Sequence, residues 1–425
     1  MLDANLLLDD TETVVAALAR KGVAEDTVLA ARDALANRRS VLSELESMRA
    51  EMNRRSKEVG RLMAAKDPSA ETERAGLGDL KARIAQQETR NREAEDAARQ
   101  EMLQLPNLPA PEAPDGGEAD NVVLRSWGRA EEEFRGTTYR PHWDVAGDLG
   151  IFDPERAAKL SGSGFALLYG DGARLVRALG QFALDLHGET YTEVLAPHVV
   201  RGQLMEGTGH LPKFADDAYN IESDDLWLIP TGEVPLTGLH QDEILDPEEL
   251  PKRYMTYSAC FRREAGSAGK DTRGLQRVHE FHKVELVRIC TPDTVQQEFE
   301  QLLNDAETSL QRLELPYRVV DLAAGDLTFS SSRIFDLEVY APGVDKWLEV
   351  SSVGNFTDFQ ARRGNIRYRV PGGRTAPVNT LNGSGLATPR VWAAIIEHGQ
   401  RSDGTVEVPE ALVPYLGKKV IEPRG

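Results

Sequence analysis

The sequence predicts an α+β chain: an antiparallel coiled-coil arm at the N-terminus, then a larger domain built on an antiparallel sheet. Three observations carry this prediction. Residues 27–64 and 77–105 repeat apolar or small residues at steps of three, four or seven. A proline-rich break follows them. Beyond the break, strand-like alternation returns again and again through hairpins, with few helices between.

Residues 27–64 contain no proline, and Gly60 is their single glycine. Leu35, Leu42, Leu45, Met48, Met52, Val59 and Leu62 form the stripe. Leu77, Leu80, Ile84, Gln87, Asn91, Ala94, Ala98 and Met102 form its counterpart. The connector KDPSAETERAGLG holds an Asp67-Pro68 break plus Gly76 and Gly78, and is expected to be the turn. Two long helices joined by so short a turn must run antiparallel, and would project roughly 55 Å. LPNLPAPEAPDGGEADN marks a boundary. The predicted organisation is therefore an arm domain over 1–104, a linker over 105–121 and a main domain over 122–425. In that domain DGARLVRALGQFALDLHG reads as an amphipathic helix with Leu175, Leu179, Phe182 and Leu186 on one face. YTEVLAP, DLWLIPTGEVPLT, RVHEFHKVELVRI, KWLEVSSVGNF and NIRYRV read as strands.

The 425 residues suggest more than one core. A net charge of −19 argues against indiscriminate nucleic-acid binding. The excess acid lies outside the arm, however. Residues 49–66 carry six basic and two acidic side chains. That bias favours a contact with RNA phosphates over a purely structural hairpin. No run of about 18 apolar residues is present, so no membrane span is expected. Cys260 and Cys290 are too few for a disulfide framework, and no zinc site is expected. With acids near the first residue where a secretion signal would be basic, a cytoplasmic location is expected. Neither a phosphate-binding G-x-x-x-x-G-K-[ST] loop nor a G-x-G-x-x-G turn after a strand occurs.

The segment FRREAGSAGKDTRGLQRVHEFHKVEL concentrates chemistry. Arg262 suits forked phosphate contacts. Gly266, Gly269 and Gly274 would let a long hairpin loop bend over a ligand. Phe281 could stack on a base, and Glu285 lies on the same strand face by period-two counting. Thr231 and Glu233 are expected on one face of a strand, suiting an amine-bearing ligand. In WLEVSS, Glu349 and the serines offer hard oxygens for Mg²⁺. Asn382-Gly383-Ser384-Gly385 is expected to be a turn opening a helix, with Pro389 and Arg390 in its first turn.

At these residues the chain resembles the bacterial-type seryl-tRNA synthetases, a family of class II aminoacyl-tRNA synthetases. The resemblance covers essentially the whole chain. GARLVRALGQFALDLHGETYTEVLAP, RYMTYSACFRREAGSAGKDTRGLQRVHEFHKVEL and LNGSGLATPRVWAAIIEH resemble the three class II motifs in order. LMEGTGHLPKF, LIPTGEVPLT and FTDFQARR are similar to seryl enzymes in particular.

The resemblance implies a class II catalytic domain that activates L-serine with ATP and transfers it to tRNA(Ser), and to tRNA(Sec) where such a tRNA exists. Arg262 would hold the α-phosphate, Glu264 and Phe281 the adenine, and Arg390 the γ-phosphate. Arg263, Val278, Val350 and Ser351 complete the ATP set. Glu349 and Ser352 would serve Mg²⁺ and the phosphates. Thr231, Gly232, Glu233, Glu285, Thr380 and Ser384 would surround serine, without deciding which carboxylate meets the ammonium. Arg262, Arg390 and Glu349 would carry the catalysis. Arg49, Arg54, Arg55, Lys57 and Arg61 would meet the long variable arm of the tRNA. The first motif implies a homodimer, with tRNA spanning both subunits.

Three positions depart from the family pattern. Gly232 stands for a usual Ala, Gly354 for a common Ser, and Thr388-Pro389 for Val-Gly. On the strand reading Gly232 points away from the site, and an alanine there is expected to be tolerated. Two other readings share the pattern: a ligase loading an amino acid onto a carrier protein, and a non-catalytic RNA-binding paralogue. The first would lack the arm; the second would have lost Arg262, Glu349 or Arg390.

Overall fold

The computed structural model describes residues 1–265 and 273–424. Gly266 and Gly269 of the expected loop therefore lie outside the described residues. The chain divides into two compact units, Met1–Leu108 and Pro109–Gly425.

The first unit is helical. Two short helices, Ala4–Asp9 and Thr11–Ala19, precede α1 (Glu25–Ala64) and α2 (Ala70–Gln104). Glu25 and Asp26 in the first turn of α1 complement its dipole. The stripe read from sequence is the buried seam: Leu35 and Leu45 on α1, and Leu80, Gln87, Asn91, Ala94, Ala98 and Met102 on α2. Leu7, Val14 and Leu18 are fully buried with Val28 and Ala31 at the arm's base. Gln87 is satisfied inside the seam, donating to the Val41 carbonyl at 3.2 Å and to Glu44 at 3.0 Å.

The turn is shorter than expected. α2 begins at Ala70, so Gly76 and Gly78 are helical. Lys66 takes a left-handed φ of +55°, and Asp67 accepts from the Ser69 amide at 2.9 Å and hydroxyl at 2.7 Å. Asp67-Pro68 alone supplies the reversal. Glu71 and Glu73 then favour a helix start, and the cost of two glycines, about 1 kcal/mol each relative to alanine, is outweighed by pairing along α1.

The second unit is built on an eight-stranded sheet. In chain order its strands are β1 (Val122–Trp127), β2 (Thr192–Glu193), β3 (Lys252–Phe261), β4 (Glu280–Cys290), β5 (Tyr317–Asp321), β6 (Arg333–Ala341), β7 (Lys346–Asn355) and β8 (Asn379–Ala387). Their spatial order is β1-β5-β6-β7-β8-β4-β3-β2. Every neighbouring pair is antiparallel except the short β2–β3 pair. Residues 109–121 belong to this unit: the Ala110 amide donates to the Ser332 carbonyl, and Ala113 packs with Val320, Leu322 and Ile334.

Helices α3 (Asp171–His187), α4 (Glu233–Gly238), α5 (Val295–Arg312) and α6 (Thr388–His398) complete the frame. Leu175 and Leu179 of α3, Phe299 and Leu302 of α5, and Trp392 of α6 share one core with Val284 and Leu286 of β4. Period two then turns Phe281, Lys283 and Glu285 of β4 to the opposite face. Cys260 and Cys290 are both free and fully buried in the sheet. Burial pushes both thiols up, Cys290 to about 12.

Two local expectations are corrected. Thr231 and Glu233 are not on a strand: the strand ends at Leu228, and Glu233 is the first residue of α4. The Thr231 hydroxyl accepts from the Glu233 amide at 3.3 Å, a local cap that competes with extended pairing. Asn382–Gly385 is not a turn but the interior of β8, between β7 and β4. Its glycines mark close approach. A Cβ on Gly383 would lie 3.1 Å from Val353 Cγ2, and one on Gly385 3.1 Å from Leu286 Cγ.

Candidate active site

On the side of β4 away from the helices lies a cleft of about 410 Å³, lined from β4, β7, β8, the hairpin after β3 and the start of α6. The β3–β4 hairpin is closed at its base: the Arg262 amide donates to the His279 carbonyl at 2.8 Å, and His279 Nδ1 meets the Arg262 carbonyl at 2.9 Å. Arg262 therefore emerges where the ladder ends. Its Nε donates to the Pro230 carbonyl at 3.3 Å, and its guanidinium lies 5.1 Å from the Phe281 ring centre. Glu264 takes a left-handed φ of +51°, a strained setting for a non-glycine residue, and pairs with Arg277.

The floor holds two carboxylates in different environments. Glu285 is buried, accepts from the Thr231 hydroxyl and pairs with Lys283. Glu233 is also buried, but its partner is an amide: Gln360 Nε2 donates to it at 2.6 Å. Thr380 in turn donates to Gln360 Oε1 at 2.6 Å. Burial, reinforced by the Glu285 charge, pushes the Glu233 carboxyl up to about 7.

At the rim, Arg390 is the third residue of α6. Its Nε donates to the Gln276 carbonyl at 2.8 Å and its Nη1 to the Glu349 carbonyl at 2.6 Å, with the Glu349 carboxylate 3.3 Å away. Desolvation favours the neutral Glu349 acid, but Arg390 and Arg262 outweigh it and hold its carboxyl below the usual range. The Thr388 hydroxyl fixes the start of α6 by donating to the His282 carbonyl at 2.9 Å.

Most of the residues singled out in sequence converge here. Thr231, Glu233, Arg262, Glu264, Val278, Phe281, Glu285, Glu349, Val350, Ser352, Ser384 and Arg390 all line the cleft. Gly232, Arg263, Ser351 and Thr380 do not. Ser351 donates to the Ser384 carbonyl at 2.8 Å from behind, and Thr380 reaches Glu233 only through Gln360. Arg263 is exposed and its amide donates to the Asp217 carbonyl at 2.8 Å.

The reading of Gly232 is also corrected. A Cβ there would fall 2.6 Å from Thr256 Cγ2 and 2.9 Å from Glu285 Cβ. Gly354 is similar: a Cβ would meet the Phe356 ring at 2.8 Å. Sequence reasoning passes over Lys283, Gln360 and Asn382. Lys283 is readable, since it alternates with Phe281 and Glu285; Gln360 lies in FTDFQARR, which resembles seryl enzymes, but no periodicity ties it to the cleft, because it comes from a separate helix.

On the arm, three of the five predicted cations already have partners. Arg49 pairs with Glu88 at 2.7 Å, Arg55 with Glu51 at 2.8 Å and Arg61 with Glu58 at 2.6 Å. Arg54 and Lys57 are exposed and make no ion pair among the described residues.

Known proteins match both units of the chain. The family described as tRNA synthetase class II core domain (G, H, P, S and T) matches residues 217–399, and the one described as Seryl-tRNA synthetase N-terminal domain matches residues 1–109. A serine–tRNA ligase of Gemmatimonas aurantiaca is 50% identical over 429 residues, covering 99% of this chain and 100% of the relative. The crystal structure of seryl-tRNA synthetase from Pyrococcus horikoshii complexed with ATP superposes with a TM-score of 0.92 at 37% identity, covering 100% of both chains. The cytoplasmic serine–tRNA ligase of Naegleria fowleri in complex with AMP gives 0.86 at 28% identity, covering 100% of this chain and 99% of that one. With the N-terminal domain and the class II core domain both matched, and relatives aligned over essentially the whole chain, the chain belongs to the seryl-tRNA synthetase family.

Proposed function

We propose that the cleft carries out the two-step reaction of a serine–tRNA ligase, and that each residue's part in it follows from its charge environment. One observation carries the assignment. Among the described residues, Arg262 makes no direct ion pair with a carboxylate and buried Glu233 none with a cation, and both face the same cleft. A phosphate supplies the first missing charge and an ammonium the second. Glu285 is already paired with Lys283, so Glu233 takes the serine ammonium, while Thr231 and Glu285 are placed for the hydroxyl.

In the first step a serine carboxylate oxygen attacks the α-phosphorus of ATP in line, and pyrophosphate leaves. In the second, a hydroxyl of the terminal adenosine of tRNA(Ser), or of selenocysteine tRNA where present, attacks the seryl carbonyl and AMP leaves. No protein nucleophile is needed; positioning and charge stabilisation suffice. Arg262 acts at the α-phosphate, Phe281 provides a face for the adenine, and Arg390 faces the γ-phosphate.

Mg²⁺ fits the donor set. Glu349 and Ser352 offer hard oxygens at the rim, and Asp336, directly across from Ser352, has a buried Oδ1 with no partner among the described residues. Held there by Glu349 and Ser352 together with the ATP phosphates, the ion would neutralise charge on the departing pyrophosphate. The homodimer implied by the first motif would cover Leu195, which is 93% exposed. Among the described residues no helix is long and apolar enough to cross a membrane.

Serine-dependent ATP–pyrophosphate exchange, followed by serine transfer to tRNA(Ser), tests the reading. Exchange that depends equally on alanine or threonine would sink it. A site built to bond the hydroxyl leaves groups unpaired with alanine, which gives discrimination of about 10⁴. A pH prediction follows from Glu233. Below about 7 its carboxyl is neutral and must lose a proton before pairing with an ammonium. Serine kcat/KM is expected to rise with pH through that value and then level. Glu233→Gln should lower it at every pH and remove the inflection; an inflection that survives would assign the titration elsewhere.

Gly232→Ala is expected to impair serine use rather than be silent. Overpacking of this kind costs about 1–3 kcal/mol, and here it falls on Thr256 and on the backbone side of Glu285. Serine kcat/KM should drop about tenfold or more with ATP KM unchanged, and the added Thr256→Ala change should restore most of it. An unaffected single variant, or a double variant with no recovery, would contradict the size match.

A further inference from the structure

His142 and Glu397 form a buried pair outside the cleft; both are fully inaccessible to solvent. Glu397 Oε1 accepts from the His142 amide at 2.9 Å and lies 2.8 Å from His142 Nδ1. Its Oε2 accepts from the Gly343 amide at 2.8 Å. On the other edge of the ring, the Leu275 amide donates to His142 Nε2 at 3.0 Å. A backbone N–H can only donate, so Nε2 is the bare nitrogen and Nδ1 carries the proton given to Glu397. The imidazole is thus neutral, with each nitrogen committed.

What it holds is the returning limb of the β3–β4 hairpin. Gly274 confirms how closely the limb is seated: its φ is +61°, and a Cβ would fall 2.1 Å from His142 Nε2. The next residues, Leu275 to Val278, line the cleft. The limb is also held by Arg390, which donates to the Gln276 carbonyl. Arg390 and Glu397 lie seven residues apart on α6, two turns along one face. A closed ring results: α6 grips the limb directly through Arg390, and again through Glu397 and His142. Neither side chain of the second grip, His142 or Glu397, lines the cleft.

We propose that His142 is a positioning residue for the nucleotide: it seats the limb 274–278 on α6, and thereby aims Arg390 and shapes the ATP side of the cleft without touching the serine side. The inference rests on the assignment of that side to ATP.

Two substitutions separate the ring's two edges. Asparagine at 142 can still donate to Glu397 but is too short to accept from Leu275. Glutamine can reach Leu275 but gives up the Nδ1 geometry. His142→Asn is expected to raise KM for ATP about tenfold, the size of a lost bond to a buried amide, with serine KM within about twofold. His142→Gln should recover most of the ATP affinity. Hydrogen exchange at the Leu275 amide reads the pin without any substrate, and should speed up about tenfold in the Asn variant and much less in the Gln variant.

Gly274→Ala keeps both members of the buried pair in the sequence but drives a Cβ against His142 Nε2, displacing the limb from its pin. It should reproduce the ATP-specific effect if the Asn variant does not fold. Equal changes in both KM values, indistinguishable Asn and Gln variants, or faster Leu275 exchange with unchanged ATP KM would each overturn the proposal. Failure of the parent protein to exchange pyrophosphate with serine would instead overturn the ATP assignment, while Leu275 exchange would still report on the pin.

Discussion

Arg262→Ala is expected to lower serine-dependent pyrophosphate exchange by about 10²–10³-fold in a protein that keeps its fold. The two halves of that statement have separate grounds. Arg262 is exposed, and among the described residues its direct side-chain contacts are a 3.3 Å hydrogen bond to Pro230 and the stack on Phe281. Such a stack at an exposed site is worth about 0.5–1 kcal/mol, so the melting temperature should move little. The proposed α-phosphate contact, by contrast, would strengthen as charge builds in the transition state, and a preorganised donor of this kind contributes about 3–4 kcal/mol. Arg390→Ala should be comparably inactive, with the added consequence that Gln276 loses its clamp. A folded Arg262→Ala protein exchanging near the parent rate would remove Arg262 from the mechanism.

Shortening the arm is the second large effect. Removing residues 46–85 and closing α1 to α2 with a short turn deletes Arg49, Arg54, Arg55, Lys57 and Arg61. It leaves Leu35, Leu45, Gln87 and the buried base around Leu7 and Leu18 in place. The arm loses about 30 Å of reach. Serine-dependent exchange should persist at the parent rate, while serine transfer to tRNA(Ser) should fall at least about a hundredfold, because a variable arm recognised by shape and phosphates needs both reach and charge. Full charging by the shortened protein would deny the arm an RNA-binding role. Loss of both activities would make it a structural element.

The five cations should not contribute equally. Arg49, Arg55 and Arg61 must leave a glutamate to meet a phosphate, whereas Arg54 and Lys57 need not. Reversing Arg54 and Lys57 should therefore flatten the salt dependence of binding, by about one unit of slope for each phosphate no longer neutralised. The same reversal at Arg49 and Arg61 should do less.

Where the sequence is readable, periodicity makes it so. The heptad stripe places Leu35, Leu45, Gln87 and Met102 in the seam because a helix repeats its face without reference to anything distant. Alternation places Phe281 and Glu285 together for the same reason. Composition misleads where tertiary packing decides. Asn382-Gly383-Ser384-Gly385 has the residues of a turn, yet it is a central strand whose glycines admit Val353 and Leu286. Thr231-Gly232-Glu233 reads as alternation; the Thr231 hydroxyl accepting from the Glu233 amide, with Pro235 in the first turn of α4, is the available sign of a helix. Gln360 reaches Glu233, and His142 reaches Leu275 and Glu397, across more than 100 residues; Gln360 and Glu397 fall inside segments that resemble the family, but no periodicity gives any of the three its role.

The two cysteines have a practical consequence. Fully buried and with thiol acidity suppressed, Cys260 and Cys290 should stay silent toward alkylating reagents at neutral pH while the protein is folded. A fluorophore attached through Asn53→Cys, an exposed uncharged position on α1, would then sit alone at the far part of the arm, with no need to strip the native thiols first. Its anisotropy would report the moment RNA docks, and a gain in labelling at 260 or 290 would report the sheet coming apart.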